Sequence, residues 1–262
     1  MIAIQLPKAF ASITFGMIVF IGCQGAAEES SGLRIRSGRD VTGNEHGPEA
    51  TSTVGLIVTD SYGSDSTCSS ALIRQDLLIT AAHCVDGFSQ ITAFFGRDRD
   101  TAIYKKRLIS AKKVAIHPAY KANGVEIAPH DIALIQLNSD APSTYFPVTV
   151  ATDDSLINPG DEVLLAGFGI TESGGGSGTL RYTLATYSGK DDLGRLEIND
   201  PWRRGACSGD SGGPLFNLVN GRYQIAGVLS GGPIPCRGVN YYTSVAEHLD
   251  FISANQRRDR LN

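Results

Sequence analysis

The chain has 262 residues, 42% of them hydrophobic and 19% charged, with a formal net charge of −4. That length and apolar content support one large all-β domain or two small ones and exclude a disordered chain. The small net charge excludes the basic footprint of a nucleic-acid binder and the charge run of an acidic tail.

In chain order, residues 1–22, "MIAIQLPKAFASITFGMIVFIG", carry Lys8 and then an apolar run from Ala9 to Gly22. The run is too short and wrongly flanked for a spanning helix and reads as an export signal. Cys23 follows, at the boundary with the polar "QGAAEESSG". The segment "FIGC" resembles the lipobox of bacterial lipoproteins, which makes Cys23 a candidate for lipidation and membrane anchoring. Conventional cleavage a few residues later, or an incidental cysteine in a discarded peptide, are the alternatives. The other cysteines, Cys68, Cys84, Cys207 and Cys236, lie in the globular part and are free to pair in an oxidising compartment.

Thirty glycines and eleven prolines without a period imply many turns and many short strands. Strands are expected at Ser52–Thr59, Ser70–Thr80, Ile91–Gly96, Lys112–Pro118, Asp131–Leu137, Glu162–Gly169, Tyr223–Ser230 and Tyr241–Val245, each short and rich in β-branched or aromatic residues. One helix closes the chain: "SVAEHLDFISANQ" puts Val245, Leu249 and Ile252 on one face. No βαβ alternation occurs, so the elements point to an antiparallel barrel or sandwich.

"ACSGDSGGPL", Ala206–Leu215, surrounds one hydroxyl with glycines. Attack on an acyl carbon needs a serine on a tight exposed turn, with backbone N–H groups converging where an oxyanion forms. Serine also needs a base beside it and a group that holds the base. "TAAHC" supplies His83, and "HDIALIQL" supplies Asp131 at the head of an apolar strand.

These blocks, in the order "TAAHC", "DIALIQL", "CSGDSGGPL", resemble the active-site blocks of the trypsin/chymotrypsin family of serine endopeptidases, with weaker similarity from Ile35 to about Ile252. The resemblance implies two six-stranded antiparallel β-barrels with a C-terminal helix and a cleft between the barrels. It implies a protease domain over residues 35–262, with protein or peptide substrates and no cofactor. Ser211 is then the nucleophile, His83 the general base and Asp131 its orienting partner, with the N–H groups of Gly209 and Ser211 as the oxyanion hole. Ser230 supports the aspartate, and Ser208, Gly231 and Gly232 join it in binding substrate. The same resemblance pairs Cys68 with Cys84 and Cys207 with Cys236.

Residues 23–34 read as a tether and activation segment. By resemblance to the family's zymogens, cleavage between Arg34 and Ile35 frees an amino group that pairs with Asp210 and orders the oxyanion hole. If Cys23 is acylated, that cut releases the enzyme from its anchor. Gly205 stands at the base of the family's specificity pocket, with Ala206 beside it and Asn240 near another lining position. A pocket without a carboxylate implies chymotrypsin-like or elastase-like preference, and hence a separate activating protease.

The alternatives are a non-catalytic homologue that binds a partner, and a lipoprotein adhesin or toxin. His46, His117, His130 and His248 share no metal-binding spacing and read as loop or surface residues, with His130 a spacer before Asp131. Trp202 reads as packing, and "QRRDR", Gln256–Arg260, as a solvated helix end. "TESGGGSG", Thr171–Gly178, lacks the lysine and following helix of a phosphate loop and resembles the family's mobile activation loop.

Overall fold

The structure is a computed structural model that describes residues 39–41, 47–122, 128–171, 173–202, 204–233, 236 and 238–256. The export signal, Cys23, Arg34, Ile35 and His46, and most of "QRRDR", lie outside the described residues.

The chain enters through the two-residue strand β1 (Arg39–Asp40) and the short helix α1 (Pro48–Thr51). Then β2 (Thr53–Thr59), β3 (Asp65–Arg74), β4 (Leu77–Thr80), β5 (Gln90–Phe94), β6 (Leu108–Ile116) and β7 (Ala133–Leu137) close into a barrel in the order β2-β3-β4-β7-β6-β5. The helix α2 (Arg99–Tyr104) follows β5, and its first turn is capped by the Asp98 carboxylate, which accepts from Thr101 N–H at 2.8 Å. This is the usual remedy for the unpaired N–H groups at a helix start.

After the short β8 (Thr149–Val150), a second set is formed by β9 (Glu162–Gly167), β10 (Arg181–Lys190), β11 (Leu196–Ile198), β12 (Pro214–Val219), β13 (Arg222–Gly231) and β14 (Asn240–Ser244). These six pair in the order β10-β11-β14-β13-β12-β9, and β9 pairs again with β10, so the ring closes. Closure removes exposed sheet edges. The chain ends in α3 (Leu249–Gln256). The fold is therefore the expected pair of six-stranded antiparallel barrels with a short C-terminal helix.

Each barrel has an apolar interior, and that of the first is continuous with Leu164, Ala166, Phe216 and Val228 of the second. Leu56, Leu72, Ile79, Leu134 and Ile135 fill the first, and Val163, Leu165, Ala185, Leu215 and Tyr242 the second. Burying each such aliphatic side chain contributes roughly 1.5–3 kcal/mol. A third cluster contains Phe94 of β5 and Phe168 just after β9, whose rings meet edge to face at 4.7 Å.

The expected single strand Ser70–Thr80 is instead a hairpin of β3 and β4. Gln75 and Asp76 form its tip, and Arg74 Nε donates to Asp76 Oδ1 at 2.5 Å. The apolar run "LLIT" hid this turn, which has neither glycine nor proline. β10 and β12 were not expected either. β10, "RYTLATYSGK", buries alternate residues, and its inward positions include Arg181, Thr183 and Ala185, a weak apolar signal. In the closing segment Val245 and Ile252 are buried, and Leu249 is only partly so.

Candidate active site

Asp131 sits in the turn that enters β7 and is 1% exposed. The turn is tight: His130 has φ +55°, and its carbonyl accepts Ile132 N–H at 2.8 Å, so the residue between them is thrust out. The Asp131 carboxylate accepts His83 N–H at 2.9 Å through Oδ1. Through Oδ2 it pairs with His83 Nδ1 at 2.7 Å and accepts the Ser230 hydroxyl at 2.6 Å. A carboxylate can only accept, so Nδ1 carries the ring proton and Nε2 the lone pair. The Asp131 carbonyl is held as well, by the Thr243 hydroxyl at 3.1 Å.

His83 lies in a single 3₁₀ turn, Ala82–Cys84, directly after β4. Its ring is about one-third exposed and faces the cavity that Ser211 also lines. The hydrogen bonds thus run from Ser230 through Asp131 to His83, and Ser211 faces the same cavity without joining that chain.

The Ser211 loop is held by its own backbone. Asp210 N–H donates to Cys207 O at 3.0 Å, Gly213 N–H to Asp210 O at 2.7 Å, and Gly212 N–H to Leu229 O at 2.8 Å. Among the described residues, the N–H groups of Gly209 and Ser211 have no acceptor. Gly212 explains the glycine density: its φ is +78°, and a Cβ there would stand 2.1 Å from Thr80 Oγ1 and 2.4 Å from Ser69 O. Only glycine lets the loop lie this close to the first barrel.

Ser69 was not foreseen. Its N–H donates to Ser211 O at 2.8 Å, its hydroxyl donates to Gly209 O at 2.9 Å, and the same hydroxyl accepts Phe168 N–H at 3.0 Å. A buried residue of β3 thereby fixes both ends of the Gly209–Ser211 stretch. The only hint in the sequence was its place beside Cys68.

Asp210 is fully buried and accepts Gly169 N–H at 2.7 Å and Cys207 N–H at 2.8 Å. Burial pushes its carboxyl up to about 6, against the two N–H bonds and the Arg181 charge, which pull it down. Arg181 is itself committed elsewhere, to Asp40 at 3.0 Å and to the carbonyls of Gly169, Gly176 and Thr179. The segment Thr171–Gly178 is pinned by these bonds and by the Thr171 hydroxyl on Gly175 O at 3.2 Å.

The cavity is lined by His83, Ser211 and the expected Ala206, Ser208, Ser230, Gly231, Gly232 and Asn240, together with Leu229 and Pro233. Gly205 does not line it. Asn240 Oδ1 accepts Ala206 N–H at 3.0 Å and lies where a Cβ on Gly205 would fall, 2.2 Å away. The Asn240 amide, not the Gly205 backbone, is therefore the floor, and the pocket is shallower than a glycine base implied. Among the described residues no carboxylate lines it.

Cys68–Cys84 and Cys207–Cys236 are disulfides, as expected. Each contributes about 2–4 kcal/mol, mainly by restricting the unfolded chain. They also consume the thiols of the Cys68, His83 and Cys84 grouping. One other expectation fails and one holds only in part. Trp202 is 77% exposed and does not serve as packing. His117 and His130 do lie in a loop and an exposed turn, but His248 is buried, 6% exposed in a 3₁₀ turn, and the three converge with nitrogens within 4.8 Å of one another.

The family model described as Trypsin matches residues 41–252. The chain belongs to the trypsin family. Chymotrypsin-like elastase family member 1 of Macaca fascicularis is 30% identical over 210 residues, covering 71% of this chain and 77% of that protein. Granzyme B of Rattus norvegicus is 26% identical over 242 residues, covering 86% and 94%. Among solved structures, HL collagenase has a TM-score of 0.68 at 18% identity, covering 83% of this chain and 96% of its own. Human heparin binding protein has the same TM-score, 0.68, at 22% identity, covering 84% and 96%. These structures bear on the fold alone. The trypsin-family relatives named here come from animals. Among the described residues no helix is long and apolar enough to cross a membrane.

Proposed function

We propose that this trypsin-family chain is an exported serine endopeptidase. The observation that carries the reading is the hydrogen-bonded run Ser230–Asp131–His83 opening on the cavity lined by Ser211. His83 Nε2 takes the Ser211 proton as the hydroxyl attacks the scissile carbonyl. Asp131 stabilises the imidazolium, which then protonates the leaving amine. Water repeats the sequence on the acyl-enzyme. The N–H groups of Gly209 and Ser211 receive the oxyanion, each such donor being worth roughly 3–4 kcal/mol of barrier.

The pocket supports a neutral, small to medium side chain before the scissile bond, the elastase-like of the two expected preferences. Ala206 and Leu229 give it apolar walls, the Asn240 amide closes its floor, and no carboxylate awaits an Arg or Lys. The likeness to chymotrypsin-like elastases supports the same choice. Activation is cleavage between Arg34 and Ile35 by another protease, the new ammonium pairing with Asp210, whose buried carboxyl has no ion-pair partner among the described residues. Residues 1–22 serve as the export signal, and lipidation of Cys23 in the bacterial manner tethers the precursor.

The test is a serine-directed phosphonate and a diverse peptide library, applied to chain cut after Arg34 with Ser211→Ala as control. Labelling and cleavage after small or medium apolar residues, both absent from the control, are expected. No labelling of the cut chain overturns the reading in favour of a non-catalytic binding protein on this fold.

A further inference from the structure

Three histidines far apart in the chain meet at one place. His117 follows β6, His130 precedes Asp131, and His248 closes the 3₁₀ turn that leads into α3. The rings of His117 and His130 stack with centroids 4.9 Å apart, and His248 stands edge-on to them at 5.0 and 5.2 Å. Among the described residues no ion pair engages any of the three. The rings are tied only by weak neutral contacts, a His130 Nδ1–His248 Nε2 hydrogen bond at 3.0 Å and the stacking itself, with the carboxylates of Glu247 and Asp154 acting on His248 from a distance.

We propose that His117, His130 and His248 form a site for a divalent transition-metal ion of the zinc class, one residue from Asp131. One nitrogen of each lies within 4.8 Å of the other two, and His130 Nδ1 is 3.0 Å from His248 Nε2. Ligands of a tetrahedral zinc ion with bonds of about 2.0–2.1 Å stand roughly 3.3 Å apart. The observed spacings bracket that value, so small ring rotations close the site.

His248 is already set up as a ligand. Its Nδ1–H donates to Ser244 O at 2.7 Å, which leaves the Nε2 lone pair to accept His130 Nδ1–H at 3.0 Å; a metal ion takes the place of that proton, with the His130 proton moving to its other ring nitrogen. A backbone carbonyl on the distal nitrogen is the support that metal-bound imidazoles use. His117 Nδ1 accepts Ala119 N–H at 3.2 Å, at an exposed position where water can replace that ring as the acceptor for Ala119 N–H. Burial and the neighbouring rings keep His117 neutral down to about 4, which supports the geometry. Three imidazole ligands with an exposed fourth position suit zinc, cobalt(II) or nickel(II) over calcium or magnesium, which take oxygen. His130 links the site to catalysis, because its strained turn presents Asp131.

The test is titration of the purified full chain with zinc by calorimetry, and with cobalt(II) followed by visible absorption. One ion per chain is expected, with the intense visible bands of tetrahedral cobalt. His117→Gln, a partly exposed position that leaves the fold intact, should weaken binding by at least about tenfold, as should His248→Gln. His83→Ala should leave the affinity unchanged. No uptake by the wild-type chain, equal affinity in the His117→Gln/His248→Gln double variant, or loss of the ion in His83→Ala each overturns the proposal. None of these readouts depends on protease activity.

Discussion

The first barrel delivers His83 from a 3₁₀ turn fastened to β4 and Asp131 from the turn entering β7, and both carboxylate oxygens and His83 Nδ1 are engaged while Nε2 faces the cavity. The second barrel delivers Ser211 on a glycine-rich loop whose order rests on a buried carboxyl at Asp210 and on Ser69, borrowed from the first barrel. The base half is thus built by folding alone, whereas the nucleophile half depends on how one buried acid is neutralised. Ser230 and Thr243 of the second barrel complete the hold on Asp131, so the base pair is fixed by groups from both barrels that are already satisfied; a loop with N–H groups turned outward has no such partners.

The largest effect comes from cutting the line where the halves meet. Ser211→Ala and His83→Ala should each lower kcat by on the order of 10⁴–10⁶-fold, measured on a peptide amide with the cut chain. A residual rate above a thousandth of wild type would mean that the two residues do not act as a unit.

Asp210→Asn separates the halves. It should reduce the rate by about 10²-fold or more, the scale of losing an oxyanion-hole donor, and leave the downfield His83 Nδ1 proton resonance in place. Loss of that resonance would show that the His83–Asp131 pair also depends on the acid at Asp210. The same residue carries a pH signature. Its folded value of about 6 stands above the ordinary 3.8, so the protonated form stabilises the uncleaved chain fully below pH 4, and that contribution fades as pH rises through 6. Urea midpoints at pH 4 and pH 7.5 should therefore fall more for wild type than for Asp210→Asn. Parallel curves would deny the burial effect.

Asn240→Gly removes the pocket floor and leaves both halves intact. It should shift kcat/KM toward Phe over Ala by about 10–100-fold, the scale of a few methylenes of newly accessible volume. An unchanged ratio would put the floor elsewhere. The smallest effect is expected from Ser69→Ala, which frees the Gly209 carbonyl and the Phe168 N–H. At about 1 kcal/mol per bond, a five- to tenfold drop in kcat and a modest loss of stability should follow. A KM effect without a kcat effect would contradict its role in holding the oxyanion stretch.

Much of this site was legible because it is written in contiguous blocks. His83, Asp131 and Ser211 each sit in a run whose glycines, apolar strand residues or cysteine declare their setting, and the barrels announce themselves through short β-branched segments. The histidine cluster could not be read, because its members have no shared period and meet only through the packing of β6, the turn before β7 and the chain end. The sequence places Asn240 near the pocket, but the direction of its amide is set by the Ala206 N–H that it accepts from 34 residues away. β10 was missed because its inward positions are partly polar, and Arg181 among them is satisfied by Asp40 and by carbonyls that no linear pattern reveals.

β1 is only two residues long, yet its pairing with Tyr182 and Arg181 and the Asp40–Arg181 bond clamp the chain from Arg39, four residues after Ile35. At about 3.3–3.6 Å per residue, a free end starting at Ile35 can reach at most roughly 14 Å from that clamp. Under the proposed activation, the clamp makes the start of the chain a ruler: an end cut two residues further on would lose roughly 7 Å of reach. Processing enzymes that nick the same region at neighbouring bonds would yield stable, folded and inactive protein, so the register of the cut, rather than its occurrence, carries the signal.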